Sequence, residues 1–323
     1  MAHAQATDMY PGELADVPGW FPPLDQVLFT WFLERQERQG TEGDLLELGA
    51  YLGKSSILLG RHLRDGERFT VCDLFESGAP DGPNQAETSK SYASLTRQAF
   101  ERNYLSFHDT LPTVVQAPSS VIAEEVAPGT CRFVHIDASH LYEHVYDDIG
   151  AAREILLPEG VVVLDDFRSE HTPGVSVAAW EAVLNRGLRP ICLSTQKLYA
   201  TWGETEPVQE ALLTMLRQRT DCGLSVQEAA GHRLIRTRSK GIQPPSFPRS
   251  RHHVPPAPAP QDSPAPRPRT TRSTPSRSRA RRIAIDLLPP VLTRALRRAR
   301  ADRTTGLPGG AGRARRATPR RRG

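Results

Sequence analysis

Apolar residues along the first 240 positions follow two different periods. Short apolar runs, such as DLLEL at 44–48 and VVVLDD at 161–166, are typical of strands buried on both faces of a sheet. Elsewhere apolar residues recur at steps of three and four, as at Leu24, Val27 and Leu28, which predicts amphipathic helices. The predicted strands are 44–48, 68–74, 113–116, 131–137, 161–166, 189–194, 197–202 and 232–238, and the predicted helices are 22–39, 55–63, 92–104, 119–126, 144–157, 175–185 and 207–217, with a turn at 158–160 and a polar loop at 76–90.

Strand and helix signals alternate along this whole stretch. Such alternation indicates an α/β fold, a Rossmann-like doubly wound sheet that is mainly parallel. We therefore predict an N-terminal arm at 1–18 and one domain at 19–240. In such sheets ligands bind beyond the carboxyl ends of the strands, so the residues that follow each strand are the candidates for chemistry.

The composition changes at residue 241. The last 83 residues carry a net charge of +17 and the first 240 carry −13, which together give the net charge of +4 for the whole chain. Fifteen of the 28 prolines lie in this tail, so 241–323 is predicted to be disordered, apart from an amphipathic helix at 283–303. A basic arm of this kind is expected to contact anionic surfaces, either membrane or nucleic acid.

The cysteines and the N-terminus indicate a cytoplasmic protein. The four cysteines show no CxxC spacing, and most of them lie in or beside apolar runs, as expected of reduced core residues. No basic and apolar leader is present at the start, and no apolar run is long enough to span a membrane.

The first chemical signal is the sequence GAYLGKSS, which follows strand 44–48. Gly49 and Gly53 would let the backbone turn sharply and approach a ligand, and the helix that begins near Ser55 offers free N–H groups. The spacing is not that of a P-loop, which needs a glycine where Leu48 stands, nor that of GxGxxG, where Tyr51 takes the second glycine position. An ordinary glycine-rich turn remains the alternative.

Asp73 ends the second predicted strand. An ionised carboxylate accepts hydrogen bonds from two vicinal hydroxyls, so an acid at this position is suited to holding a ribose. The alternative is a solvated loop aspartate.

Acidic residues also end two further strands. Asp137 ends strand 131–137, and Asp165 and Asp166 end strand 161–166. A cluster of carboxylates that contains no cysteine is a typical ligand set for Mg²⁺ or Mn²⁺. Three negative charges in one cleft also repel one another, so a positive charge is expected beside them. The sequence therefore predicts a divalent-metal site, the alternative being that one acid caps a helix and another is solvated.

Two histidines lie near Asp137. A neutral imidazole at His140 can take a proton near pH 7, which makes it the candidate catalytic base, unless it only hydrogen-bonds a neighbour or Asp166. His135, within the strand, is predicted to be a core residue.

Three segments carry a family resemblance: LLELGAYLGKSSILLG, VCDLF and FVHIDASHLYEHVYDDIGAAREILLPEGVVVLDDF. Together they resemble class I S-adenosylmethionine (SAM)-dependent methyltransferases of the Methyltransf_24 type, which are related to catechol and macrolide-sugar O-methyltransferases. The resemblance covers roughly 19–238. It implies that Glu47, Gly49, Tyr51, Gly53 and Ser55 surround the methionine part of SAM, that Asp73 holds the ribose, that Ser119 lies near the adenine, that Asp137 adjoins the cofactor, and that Asp137, Asp165 and Asp166 hold a divalent ion.

We therefore expect SAM-dependent, metal-assisted O-methylation of a small hydroxylated metabolite or sugar. Where catechol enzymes keep a lysine this chain has His140. Two alternatives stay open: a metal-independent methyltransferase or hydroxylase-like relative on the same fold, and a nucleic-acid-binding protein that uses its basic tail. The partner is expected to be a small-molecule acceptor, and a homo-oligomer is compatible with the sequence.

Overall fold

A computed structural model describes residues 10–85 and 95–255, and one nine-stranded sheet forms the centre of this part of the chain. The strands are β1 (Asp44–Leu48), β2 (Phe69–Cys72), β3 (Thr113–Val115), β4 (Cys131–Ile136), β5 (Leu156–Leu164), β6 (Arg189–Leu193), β7 (Leu198–Thr201), β8 (Cys222–Ala229) and β9 (His232–Ser239). The helices are α1 (Pro23–Arg38), α2 (Lys54–Gly60), α3 (Arg97–Leu105), α4 (Ile122–Glu125), α5 (Tyr142–Ile155), α6 (Pro173–Asn185) and α7 (Glu206–Arg217), and short 3₁₀ turns cover Leu14–Asp16 and Ser119–Val121.

The strand order is β3-β2-β1-β4-β5-β7-β6-β9-β8. Strands β1 to β5 are parallel to one another, whereas β7 is antiparallel to both β5 and β6. The chain runs outward from β1 to β3 and then returns to the other side of β1 at β4, so the direction of winding reverses between β1 and β4. This topology confirms the predicted α/β, Rossmann-like, mainly parallel fold, and it opens a crevice at the carboxyl ends of these two strands.

Successive residues of the central strands feed two separate cores. Leu45 belongs to the core that includes α1, α2 and α7, and Leu46 and Leu48 belong to the core that includes α5 and α6. Helices thus cover both faces of the sheet, which explains why its strands are apolar without alternation.

The strand β8 was not predicted from the sequence. It forms a hairpin with β9 through Ala230 and Gly231, whose φ values of +51° and +75° are those of a tight turn that follows the twist of the strands. Four of its eight residues are exposed and three of these are polar, so β8 carries a weaker apolar signal than the central strands. The predicted turn at 158–160 instead lies within β5.

Residues on both sides of the predicted domain boundaries pack against the body. Leu14 and Val17 are buried, although they fall in the predicted N-terminal arm. Beyond the predicted boundary at 240, Ile242 is buried and Phe247 contacts Phe107 edge-on. The contiguous unit therefore extends beyond residue 240, because apolar side chains recur among the prolines there. The remaining tail, with its predicted disorder and the predicted helix at 283–303, lies outside the described residues.

All four cysteines are buried and unpaired, as predicted from their spacing. None of the helices within 10–85 and 95–255 combines the length and the apolar character that crossing a bilayer requires.

The end of β1 is held close to the end of β4. Asp137 donates its N–H to the carbonyl of Leu48 at 2.7 Å, and a Cβ atom on Gly49 would overlap the carbonyl oxygen of Asp137. Gly49 also has a φ of +80°. Glycine is therefore required at residue 49 by both backbone conformation and space.

We expect Gly49→Ala to destabilise the fold more than Gly66→Ala. Gly66 has a similar φ of +87° but no atom within 4 Å of the added Cβ, so its variant measures the conformational cost alone, about 1 kcal/mol. The clash at Gly49 should add about 1 to 3 kcal/mol. Urea unfolding of both variants measures the difference, and equal losses would contradict the close packing of β1 on β4.

A second prediction concerns residues 241–255. Ser250 donates its N–H to the carbonyl of Gly12 at 3.0 Å, and Ile242 is 3% exposed. A chain that ends at residue 240 should therefore be less stable than one that ends at 255 by at least about 2 kcal/mol, the value of burying one large apolar side chain. Calorimetric melting of the two chains tests this, and identical melting temperatures would restore the boundary at 240.

Candidate functional site

A cavity of about 730 Å³ lies at the carboxyl ends of the strands β1 to β5. Its size is typical of a pocket for a small molecule or cofactor. Most of the predicted site residues line it, namely Gly49, Tyr51, Ser55, Asp73, Ser119, Asp137, His140, Asp165 and Asp166.

Glu47 and Gly53 are not among the residues that line this cavity, and their place near the methionine part of SAM stays a prediction. Glu47 is fully buried in β1, accepts a hydrogen bond from Ser56 and lies 2.8 Å from Nδ1 of His135. Gly53 has a φ of +90°, and a Cβ there would come within 3.0 Å of the Phe100 ring. The backbone conformation and the Phe100 ring therefore both require glycine at 53.

Asp73 holds the turns at the ends of β1 and β2. Its Oδ2 accepts the N–H groups of Ala50 and Tyr51 at 2.7 and 3.0 Å, and its Oδ1 accepts that of Phe75 at 2.7 Å. Burial raises the pKa of this carboxyl in spite of these bonds. These three hydrogen bonds occupy three of the about four lone pairs of the Asp73 carboxylate, so it can accept one further hydrogen bond. The ribose role of Asp73 stays a prediction.

A buried chain of polar side chains lies behind the cavity wall. Lys197, which is 1% exposed, donates to Asp165 and lies 3.4 Å from Nε2 of His135. The other nitrogen of His135 faces Glu47. Burial lowers the pKa of His135 to about 3, so its imidazole is neutral. Nε2 then accepts from Lys197, and Nδ1–H donates to Glu47.

Lys197 is the counter-charge for the buried acids, and sequence reasoning missed it. Burial lowers the pKa of Lys197, while the charges of Asp137, Asp25 and Glu47 oppose that change. Burial also raises the pKa of Glu47, to about 7. The antiparallel register of β5 and β7 pairs Leu164 with Leu198, which puts Lys197 opposite Asp165.

The three predicted metal ligands do not gather at one point. Within the described residues, candidate ligand atoms lie within 4.8 Å of one another in two groups: His135 with Asp137 and Asp165, and Asp137 with His140 and Asp166. Lys197 already neutralises the first group. The second group is more open, since the side chains of His140 and Asp166 are 21% and 22% exposed. Asp137 belongs to both groups, Asp165 to the first and Asp166 to the second, so the predicted set of Asp137, Asp165 and Asp166 is divided between them, and metal binding stays a prediction.

His140 and Asp166 are paired, with Nε2 and Oδ2 3.1 Å apart. Burial tends to raise the pKa of Asp166, but hydrogen bonds from His140 and Ser169 outweigh it, and the pKa is lowered. Asp166 also has a φ of +52°, a conformation that is costly for an aspartate and is found mainly where the surrounding structure enforces it. The β5 turn therefore holds an ionised carboxylate beside the imidazole.

The central part of the chain matches a known family. Residues 46–167 match the family model Methyltransf_24, described as a methyltransferase domain. This stretch contains β1 to β5 and the glycine turn, Asp73, Asp137, His140 and Asp166. No curated protein sequence matches the chain.

Several solved structures are similar to part of the chain at low sequence identity. The O-methyltransferase NovP is 18% identical over 56% of this chain and 81% of its own, with a TM-score of 0.44. The TDP-rhamnose 3'-O-methyltransferase CalS11 is 15% identical over 57% and 82%, with a TM-score of 0.38. Cofactor-bound Rv0187 from MTB is 18% identical over 62% and 87%, with a TM-score of 0.42. The family model, and not these distant structures, identifies the domain.

We expect Lys197→Met to cost about 3 to 5 kcal/mol of unfolding free energy, because it leaves buried carboxylates without a counter-charge. Lys54→Met is the matched control, since Lys54 is half-buried at the same cavity, donates to the carbonyl of Ala15 at 3.5 Å and is attracted by the charge of Asp16. Its loss should stay below about 1 kcal/mol. Urea unfolding at pH 7.5 measures both. A Lys197→Met variant as stable as Lys54→Met would show that the acids are neutralised otherwise.

Proposed function

We propose that this chain, whose residues 46–167 match a methyltransferase-domain model, is a class I SAM-dependent methyltransferase. It transfers the methyl group of SAM to a hydroxyl oxygen of a small metabolite or sugar, with a divalent metal ion at Asp137, His140 and Asp166. The observation that carries the proposal is the convergence of these three side chains within 4.8 Å of one another at the cavity wall.

The dimensions and lining of the cavity support SAM as the cofactor. The turn from Gly49 to Tyr51 borders it, and Ser55 adds a hydroxyl near the beginning of α2. Asp73 fixes that turn through the N–H groups of Ala50 and Tyr51. A rigid turn can hold the sulfonium in one position, which an in-line displacement requires.

The donor set supports Mg²⁺ or Mn²⁺. Two carboxylates and one imidazole are suitable ligands for such ions. A bound divalent ion would lower the pKa of an acceptor hydroxyl and fix its oxygen. Two contacts support metal binding by Asp137, His140 and Asp166. Lys197 neutralises the adjacent Asp165, and Asp166 orients the imidazole of His140.

The wall of the cavity near its mouth supports a ring-shaped acceptor. Trp20, which is 71% exposed, lies 5.4 Å from the Tyr51 ring, and both side chains line the cavity. Aromatic faces of this kind stack on flat rings. Together with the polar group at Asp137, they support an acceptor that joins a flat face to a hydroxyl group.

A metal-free mechanism is the second candidate, and one observation favours it. His140 is already paired with Asp166 at 3.1 Å, as a base is when a carboxylate orients it. In this mechanism His140 takes the proton from the acceptor hydroxyl, and Asp166 stabilises the imidazolium.

Asp137→Asn and Asp166→Asn separate the two mechanisms. Wild-type protein should bind Mn²⁺ at concentrations on the order of millimolar or below. Each Asn variant should lose this binding and about 100-fold or more in methyl transfer. Affinity for S-adenosylhomocysteine should largely persist, because the cofactor contacts the glycine turn. Without metal both variants should be as stable as wild type or more stable, because a negative charge is removed from the cluster.

Manganese EPR measures the binding of the ion, and labelled SAM with a panel of phenolic and sugar acceptors measures transfer. Asp109→Asn, at an exposed acid away from the cavity, is the control and should change neither. An absence of bound Mn²⁺, together with methyl transfer that resists EDTA, would reject the metal and leave His140 acting as the base.

A further inference from the structure

The part of the cavity wall that carries Trp20 is a short stretch between two other parts of the chain. Residues 18–21 line the cavity. On the side of α1, Phe21 is buried, and its carbonyl accepts a hydrogen bond from the side chain of Gln26 at 2.8 Å. The position of Trp20 therefore also depends on what holds the other side, which is the segment 10–17.

The segment 10–17 makes local hydrogen bonds and packs two side chains into the core. The carboxylate of Asp16 accepts the N–H groups of Gly12 and Glu13 at 3.0 and 2.8 Å. Leu14 and Val17 are buried. The bonds to Asp16 lie within the segment, and apolar packing is not directional. Contacts with directional groups outside the segment are therefore what fixes its position precisely.

Residues 247–253 form a strap that is fixed to the body next to this segment. Arg251 donates its N–H to the carbonyl of Ser106 at 3.0 Å, and its guanidinium donates to the carbonyl of His108 at 2.7 Å. Both acceptors follow the end of α3. The body therefore holds the strap through bonds that do not involve the segment 10–17.

Ser250 of the strap forms two hydrogen bonds with the backbone of the segment. It donates its N–H to the carbonyl of Gly12 at 3.0 Å and its hydroxyl to the carbonyl of Pro11. Ser250 is 7% exposed, so water competes little for these bonds. Two carbonyls that are next to each other in the chain are thus held by one residue of the strap.

Side chains of the strap also contact the beginning of the segment. The His252 ring stacks on the Tyr10 ring, with the ring centroids 4.1 Å apart. Arg249 and His253 lie 3.6 and 3.9 Å from the carboxylate of Glu13. Glu13 is exposed, and ion pairs to exposed carboxylates contribute little. Ser250 and His252 therefore carry most of the connection between the strap and the segment.

We propose that Ser250 and His252 are positioning residues of the acceptor site. They hold the segment 10–17 so that the Trp20 ring stays beside Tyr51, and they thereby raise the affinity of the cavity for a flat acceptor. The inference rests on the proposed function, which assigns such an acceptor to this wall. A side chain that has to be immobilised on binding lowers the affinity. The strap removes that cost beforehand, which amounts to a factor of about 3 to 10 for one or two side chains.

The experiment is titration of the full chain with 4-nitrophenol, a flat ring with one hydroxyl group, in EDTA and without SAM. The double variant Ser250→Ala/His252→Ala should bind this probe about 3- to 10-fold more weakly than wild type. Hydrogen exchange of the amides in 10–21 should also be faster, because the segment opens more often. The double variant Ser250→Thr/His252→Phe keeps a hydroxyl and a flat ring, so it should restore most of the affinity.

Trp20→Ala separates positioning from a general loss of structure. This variant should itself weaken the binding of 4-nitrophenol, because it removes the stacking face. When Ser250→Ala/His252→Ala is added to it, the affinity should fall by less than about 2-fold further, since residues that act through one shared side chain are not additive. A merely structural role of the strap would lower the affinity equally with and without Trp20.

Gln243→Ala is the matched control. Gln243 is exposed, lies outside the strap and donates to the carbonyl of Gly241 at 3.1 Å, so its loss should change neither probe binding nor the exchange of 10–21. Three results would overturn the proposal: unchanged probe affinity in Ser250→Ala/His252→Ala, an equal loss in the Trp20→Ala background, or a wild-type protein that does not bind 4-nitrophenol. Because SAM and metal are absent, a failure of methyl transfer, which tests the proposed function, leaves these results unaffected.

Discussion

The ammonium group of Lys197 lies fully buried among acids that come from different parts of the chain. It donates to Asp165, it lies 3.4 Å from His135, and it is attracted by Asp25 and Glu47. Each of these carboxylates alone would be costly to bury. The single positive charge of Lys197 lowers the free-energy cost of burying these carboxylates. The carboxyl ends of β1, β4 and β5 can therefore lie close enough together to form one site.

This arrangement divides the polar residues at the strand ends into an inner and an outer layer. The inner layer, Glu47, His135, Lys197 and Asp165, is buried and contains its own cation, and only Asp165 of these four lines the cavity. Asp137 and the pair formed by His140 and Asp166 make the outer layer, which faces the cavity. The cation or the base that we propose would therefore lie in the outer layer, and the charges of the inner layer would contribute to its electrostatic environment.

The sequence predicted the parallel strands and the acids at their ends, because apolar runs followed by polar residues are local signals. It could not predict Lys197, whose position opposite Asp165 depends on the antiparallel register of β5 and β7. The family resemblance implied that Glu47 lies near the methionine part of SAM. Alternation along β1 was an available signal against this: Glu47 shares the face of Leu45, which belongs to the core, and the register of β1 with β4 pairs it with His135.

The same carboxylates that face the cavity also hold its backbone. Tyr51, Phe75 and Asp166 have φ values of +49°, +49° and +52°, and each follows a strand that ends at the cavity. The side chain of Asp73 accepts the N–H groups of the first two, and that of Asp165 accepts the N–H of the third. Left-handed conformations of this kind are unfavourable unless such bonds fix them. An acid at these strand ends therefore both lines the cavity and fixes the turn beside it. Because these hydrogen bonds lie within the chain, the turns have their conformation before any ligand binds.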